Sequence, residues 1–292
     1  MDTAIIVLNR NQPEMTDRLC DHIVRYTKAN YKLYVIEAGS DEDKLSAHHT
    51  HWINDPWTMK NGLRPAKGFN KGIEIARQDG QWDAYWCVMN DMNFYEEDTL
   101  SLMLADLEKY SEIGLVQPSH MYSMWGDRKI DGTKFRASPG RVKLVPYVSH
   151  FAFLVKDELL NKIGPLYDES NFLSHGGDIE ICWRTWQAGL AVAISGNCKL
   201  WEFVGGSSGG GQAPEHRQFI SEAQEQMLAW MARKYGFRTK YDMTRQCGKV
   251  MARWVKKNSD YAEKCDVDYI GVDPSLVKPL MARAGRWLKL NR

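Results

Sequence analysis

Asn90-Asp91-Met92-Asn93 stands directly after the apolar run 84–89. A carboxylate beside amide oxygens at a strand end is a hard-oxygen set, suited to Mg2+ or Mn2+ and, through the cation, to phosphate. A second candidate is Gly176-Gly177-Asp178-Ile179-Glu180, where Asp178 falls at a helix start. The macrodipole favours a carboxylate there, and it could serve as a general base. A third, Glu37-Ala38-Gly39-Ser40-Asp41, offers acidic and hydroxyl groups at another strand end, fit for a ribose or a base edge. Turn-forming and helix-capping roles account for each of the three as readily. His48, His49 and His51 have no carboxylate or cysteine at metal-binding spacing and read as part of a short exposed strand. The run 205–211, Gly-Gly-Ser-Ser-Gly-Gly-Gly, matches neither the dinucleotide fingerprint nor the phosphate-cradling loop, which leaves a hinge, a lid or a linker.

The elements that must position these residues follow from apolar spacing. Residues 3–8 form a continuous apolar run, the signature of a strand buried on both faces, and end at Asn9-Arg10. Leu19, Ile23 and Tyr26 recur at helical spacing, and 32–37 is a second strand. A helix is expected over 66–77, with Phe69, Ile73 and Ala76 on one face. A strand at 84–89 follows, then a helix bearing Leu100, Met103, Leu104 and Leu107, then a strand at 113–117. In the second half, 142–145, 149–155, 190–194 and 199–204 read as strands. Helices are expected from near Lys156, over 178–188 and over 215–235. Alternating strands and helices describe crossover units, hence a mixed, mostly parallel α/β sheet flanked by helices, whose ligands sit at the carboxyl ends of the strands.

Charge divides the chain. The total of 38 Lys and Arg against 37 Asp and Glu hides a surplus of +9 over residues 232–292. By total charge the protein is neither a general nucleic-acid binder nor an acidic solvating chain. Six cysteines without a Cys-x-x-Cys pair read as reduced thiols. No segment approaches the roughly 18 apolar residues of a membrane span, and the start lacks a signal-peptide pattern, so a cytoplasmic location is expected.

Taken in order, these segments resemble the family 2 glycosyltransferases with the GT-A fold, over about residues 3–208. The likeness rests on the opening strand and loop, Glu37 with Ser40-Asp41, and Lys67-Gly68-Phe69-Asn70-Lys71-Gly72-Ile73 as a helix start. It continues through Asn90-Asp91-Met92-Asn93, Gly164-Pro165-Leu166-Tyr167-Asp168-Glu169, and Gly177-Asp178-Ile179-Glu180-Ile181-Cys182-Trp183-Arg184. The resemblance implies a nucleotide-sugar donor, Mn2+ or Mg2+ on its diphosphate, and an inverting displacement. Asp91 with Asn93 would reach the metal and Asp178 would be the base. Glu37 and Asp41 would hold the nucleoside, with Asn9, Arg10, Lys67 and Asn90 on the donor side.

Three departures from the family pattern matter. Asn90 and Asn93 stand where many relatives have Asp, and Gly177 replaces an acid before Asp178. Glu202 holds the place of a metal-binding His and could be an anionic replacement ligand. The expected division is a catalytic unit over 1–211, with a donor half to about 120 and an acceptor half from 121, followed by a basic helical extension over 212–292. In that extension Arg245, Lys249, Arg253, Lys256 and Lys257 interleave with Val250, Met251, Trp254 and Val255, and 278–292, with Trp287, repeats the pattern. Three readings fit: an amphipathic surface on anionic lipid near a lipid-linked acceptor, a phosphate-tracking surface that stacks bases in nucleic acid on Trp254 and Trp287, or solvated helices packed on the catalytic unit. The acceptor could be a glycan, a lipid-linked sugar or a hydroxylated base in DNA. A binding module that kept the fold without turnover is the alternative from another class.

Overall fold

A computed structural model describes residues 1–125, 128–132, 135–149, 152–203 and 214–267. The glycine run 205–211 and the stretch 278–292 with Trp287 lie outside the described residues. The first strand is β1 (Thr3–Asn9), whose seven residues are all buried. It pairs in parallel with β2 (Tyr31–Ala38) on one side and β4 (Ala84–Met89) on the other. The intervening chain supplies α1 (Pro13–Tyr26), the edge strand β3 (His51–Ile53), the short α2 (Pro56–Asn61) and α3 (Arg64–Asp79). Gly68 and Gly72 let α3 lie close on β1: a Cβ at Gly68 would stand 2.7 Å from Leu8 Cδ1, and one at Gly72 would collide with Ile6 Cγ2.

The remaining strands are β5 (Met92–Phe94), β6 (Ile113–Trp125), β7 (Arg128–Asp131), β8 (Val142–Leu144), β9 (Ala152–Lys156), β10 (Ala191–Phe203) and β11 (Asp266–Val267). Among the described residues they make one eleven-stranded sheet in the order β11-β8-β10-β6-β9-β4-β1-β2-β3, with β5 on β10 and β7 on β6. It is mixed: β1, β2, β3, β4, β6 and β10 run one way, and β9 enters antiparallel between β4 and β6. The helices completing the fold are α4 (Thr99–Lys109), α5 (Asp157–Ile163), α6 (Gly177–Gln187), α7 (Pro214–Tyr235), α8 (Lys240–Lys257) and α9 (Ser259–Lys264).

Two strand expectations change. The segments 190–194 and 199–204 are one strand, β10, interrupted by a register shift between Ser195 and Lys199. Gly196 sits in that irregularity, where a Cβ would strike the carbonyl of Ser138. The strand expected to stop at Gln117 continues as β6 to Trp125, because Pro118 falls opposite Ser195 at the edge of the same irregularity, where a missing N–H is tolerated.

The helices after the glycine run join the same core. Met243, Cys247, Met251, Trp254 and Val255 of α8 are buried, and α8 packs on α6. Trp254 meets Trp186 edge to face at 5.5 Å and donates its Nε1 hydrogen to the Gly189 carbonyl at 2.8 Å. Arg245, Arg253, Lys256 and Lys257 face solvent. The apolar side of α8 is therefore occupied by protein and meets no bilayer, and Trp254 offers no face to a base. Of the three readings of this segment, the one observed for α8 is a helix with a solvated basic side packed on the rest of the fold through α6. No helix among the described residues is long and apolar enough to cross a membrane. All six cysteines are buried and free of disulfides.

Candidate active site

The polar residues that follow β1 and β2 form a buried knot. Glu37 is fully buried, and Asn9 Nδ2 donates to both of its oxygens at 3.0 and 2.9 Å. The Ser46 backbone N–H adds a bond at 2.7 Å, and the Ser40 hydroxyl donates to the second oxygen. Asn9 Oδ1 in turn accepts from the Gln12 N–H and the Thr16 hydroxyl, and Asn90 Nδ2 donates to that hydroxyl oxygen at 3.1 Å. A buried carboxylate demands this many donors. Asn9, Glu37 and Asn90 thus direct their polar atoms at one another and form a floor, while Asp41 is exposed and accepts from Asn11 Nδ2 and Lys44.

Three cations follow β1 or open α3: Arg10, Arg64 and Lys67. Arg10 donates to the carbonyls of Met59 and Lys60. Arg64 opens α3 with φ at 56°, a left-handed conformation costly for a side chain with a Cβ. Its guanidinium lies 5.1 Å over the Phe219 ring, and its Nε is buried without a hydrogen-bond partner among the described residues. Burial, then the like charge of Arg10, push the Arg64 pKa down, and neither arginine has a carboxylate ion pair among the described residues. Lys67 stands 4.1 Å over the Trp57 ring.

Asp91, in the turn between β4 and β5, and Glu202, near the end of β10, are brought together. The Phe203 N–H donates to the Asp91 carbonyl at 2.9 Å. Burial and then the Asp91 charge raise the Glu202 pKa from 4.5 to about 7, against a 2.8 Å bond from the Ser123 hydroxyl. Behind Ser123 lies buried His120, whose Nε2 is 3.1 Å from that hydroxyl and whose pKa is lowered by burial. Asn93 is not part of this cluster. It pairs with Trp201, whereas Glu202 pairs with Met92, and alternation sends Asn93 to the opposite face of the sheet. Among the described residues no three His, Cys, Asp or Glu converge closely enough to hold a metal ion alone.

Asp178 lies in the first turn of α6 and accepts from the Ile179 N–H at 2.9 Å. Gly176, just before α6, adopts φ +74°, and a Cβ there would meet Met227 Sδ at 2.7 Å, so the entry to the helix requires glycine. The Ser174 carbonyl accepts from the Gly177 N–H that opens α6 at 3.0 Å, and its Oγ accepts from the Ala66 N–H of α3 at 2.8 Å. That bond ties the approach to Asp178 to the helix start that carries Arg64 and Lys67.

Two solved structures share this arrangement of strands and helices. One is the crystal structure of GalNAc-T7 with UDP, GalNAc and Mn2+, at a TM-score of 0.56 and 10% identity, covering 99% of this chain and 58% of that one. The other is the mannosyltransferase PcManGT from Pyrobaculum calidifontis in complex with GDP-Man and Mn2+, at a TM-score of 0.53 and 12% identity, covering 99% and 81%. The chain has a GT-A-type fold. It spans under two thirds of the length of the GalNAc-T7 chain. No protein-family model and no curated protein matches it.

Within this fold Asp91 and Glu202 lie close enough for one charge to act on the other, while Asp178 stands at the start of α6. Arg64, His120 and Ser123 were not legible as site residues. Pro118 hid the extension of β6 that carries His120 and Ser123, and Arg64 looked like an ordinary helix start beside Pro65.

Proposed function

We propose that this chain transfers a sugar from a nucleoside-diphosphate donor to an acceptor hydroxyl by an inverting displacement. The observation that carries the reading is the meeting of Asp91 and Glu202 at the strand ends, where burial and then the Asp91 charge raise the cost of ionising Glu202. Two carboxylates are an incomplete shell for Mg2+ or Mn2+, which commonly take one or two from the protein and the rest from substrate phosphates and water. The residues present fit such an ion, since a cation would replace a repulsion with two attractions. When bound, it would stabilise charge developing on the departing diphosphate. GalNAc-T7 was captured with UDP and Mn2+ and PcManGT with GDP-Man and Mn2+, which supports a donor of this class.

The chain's own residues do the rest. Arg10 and Arg64 lend positive charge to the donor's phosphates, and Lys67 and Asp41 flank the nucleoside side. Asn9, Glu37 and Asn90 support them from beneath. Asp178 takes the acceptor hydroxyl's proton as that oxygen attacks the anomeric carbon from the face opposite the leaving diphosphate. The carbon–oxygen bond to phosphate breaks and the configuration inverts. The buried Trp254 removes the stacking surface that a nucleic-acid acceptor would have used on α8.

The test is nucleotide release from a panel of nucleotide-sugars with Mn2+, for wild type and Asp178→Asn, alongside calorimetric titration of UDP and GDP. Release by wild type, strongly reduced in the variant while nucleotide binding persists, is the expected result. No release from any donor by wild type rejects the reading.

A further inference from the structure

Residues 164–176, which lead into α6, form no helix or strand, and their own backbone supplies only turn bonds such as Asn171 N–H to the Asp168 carbonyl and Ser174 N–H to the Asn171 carbonyl. Side chains from elsewhere add the longer-range ties. Asn70 Nδ2 donates to the Tyr167 carbonyl at 2.9 Å and Asn70 Oδ1 accepts from the Tyr167 N–H at 3.0 Å, the two bonds a paired strand would supply. Arg184 donates to the carbonyls of Ile163, Pro165 and Leu166.

The third set of ties comes from α7. Gln226 Oε1 accepts from the Leu173 N–H at 2.7 Å, and Met227 fills the space against Gly176. Trp230 Nε1 and Lys234 Nζ both donate to Asp168 Oδ2, at 2.9 and 2.7 Å. Lys234 also reaches Glu180 Oε1 at 3.4 Å, and the Tyr235 hydroxyl donates to the same oxygen. Glu180 is 1% exposed and pairs through its other oxygen with Arg184 at 2.8 Å. One ammonium therefore bridges two carboxylates, one before and one after Asp178 in the chain.

We infer that α7 is a brace on the helix bearing Asp178 and that Lys234 is its positioning residue, fixing where the proposed base stands. This rests on Asp178 acting as the base. Burial opposes the Lys234 charge, but the bonds from Asp168 and Tyr235 outweigh it and hold its pKa above the ordinary lysine value. Without that charge, Asp168 and Glu180 would be left as like charges on the two sides of the entry to α6, and the segment between them would move. A displacement of about 1 Å in a reacting group can cost on the order of 100-fold in rate without touching ligand binding.

The experiment compares Lys234→Met and Lys234→Arg with wild type, using nucleoside diphosphate with Mn2+ in calorimetry to fix the fraction of competent protein. Expected for Lys234→Met is a kcat reduced about tenfold or more, donor KM within about twofold, and full binding stoichiometry, with Lys234→Arg recovering most of the rate. A kcat for Lys234→Met within about twofold of wild type, or Lys234→Arg as impaired as Lys234→Met, overturns the brace. If wild type transfers from no donor, the glycosyltransferase reading fails by itself, and the brace is read by hydrogen exchange over residues 172–180. Faster exchange there in Lys234→Met, with the rest of the fold unchanged, upholds it, and unchanged protection overturns it.

Discussion

Replacing Glu202 by Gln should make the metal-free protein more stable and the ligand-bound protein less so. Gln can still accept the Ser123 hydroxyl bond, so the substitution removes charge and little else. The Glu202 pKa is raised from 4.5 to about 7 by burial and by Asp91. For a carboxylate so raised, the stabilising contribution is complete below the unfolded value and is lost as pH climbs through the folded one. Above about pH 7 wild type carries the whole penalty, on the order of 3 kcal/mol at 1.36 kcal/mol per unit. Differential scanning calorimetry in EDTA should put the melting temperature of Glu202→Gln roughly 5–10 °C above wild type at pH 8, with the gap nearly closed at pH 5. Adding Mn2+ with UDP or GDP at pH 8 should reverse the order, because wild type then gains binding energy that the variant forgoes. A variant less stable than wild type at pH 8 in EDTA, or a gap that does not narrow at pH 5, refutes the reasoning.

Other outcomes follow from the same geometry. Asp178→Asn should lower turnover by about 10²–10⁴ while leaving Mn2+-dependent nucleotide binding intact, as steady-state kinetics and calorimetry would show. Gly72→Ala should cost about 1–3 kcal/mol in urea denaturation, because its Cβ would collide with Ile6 Cγ2. Burial works against the Asp168 charge, yet Lys234 and Trp230 prevail and hold its pKa well below the usual carboxylate range. Its contribution, about 1–2 kcal/mol after allowance for partial exposure, is complete above about pH 4 and shrinks as pH falls below it, so the difference between Asp168→Asn and wild type should be full at pH 6 and narrower at pH 2. Trp254→Ala should cost about 3–5 kcal/mol, whereas Lys256→Gln on the solvent side of the same helix should change stability by under about 0.5 kcal/mol.

The elements of the first half were legible because β1 and β4 are short, mostly apolar runs, the pattern of strands buried on both faces. The residues after them were legible as a chemical edge for the same reason: polar groups cannot continue into that core. The limit was reach across the sheet. That Glu202 meets Asp91 depends on β5 folding back onto β10, and a three-residue strand has no periodicity to announce it. Asn93 looked like a partner of Asp91 because residues two apart on a strand share a face, but Asp91 lies in the turn before β5 and only Asn93 follows the strand's alternation. The fate of Trp254 was equally hidden, since an amphipathic basic helix has one pattern whether its apolar side meets a bilayer or another helix.

The pairing of Asn70 with the backbone of Tyr167 joins positions 97 residues apart, and the bonds to Lys234 lie later still. The segment that carries Asp178 therefore cannot settle while the chain is being synthesised until α3 has docked, and it is not fully held until α7 has emerged. A segment of turns without a strand or helix ladder of its own opens more readily than core strands do. The order in which the molecule is built thus places its proposed chemistry last, and heat would silence that chemistry while the central strands are still intact.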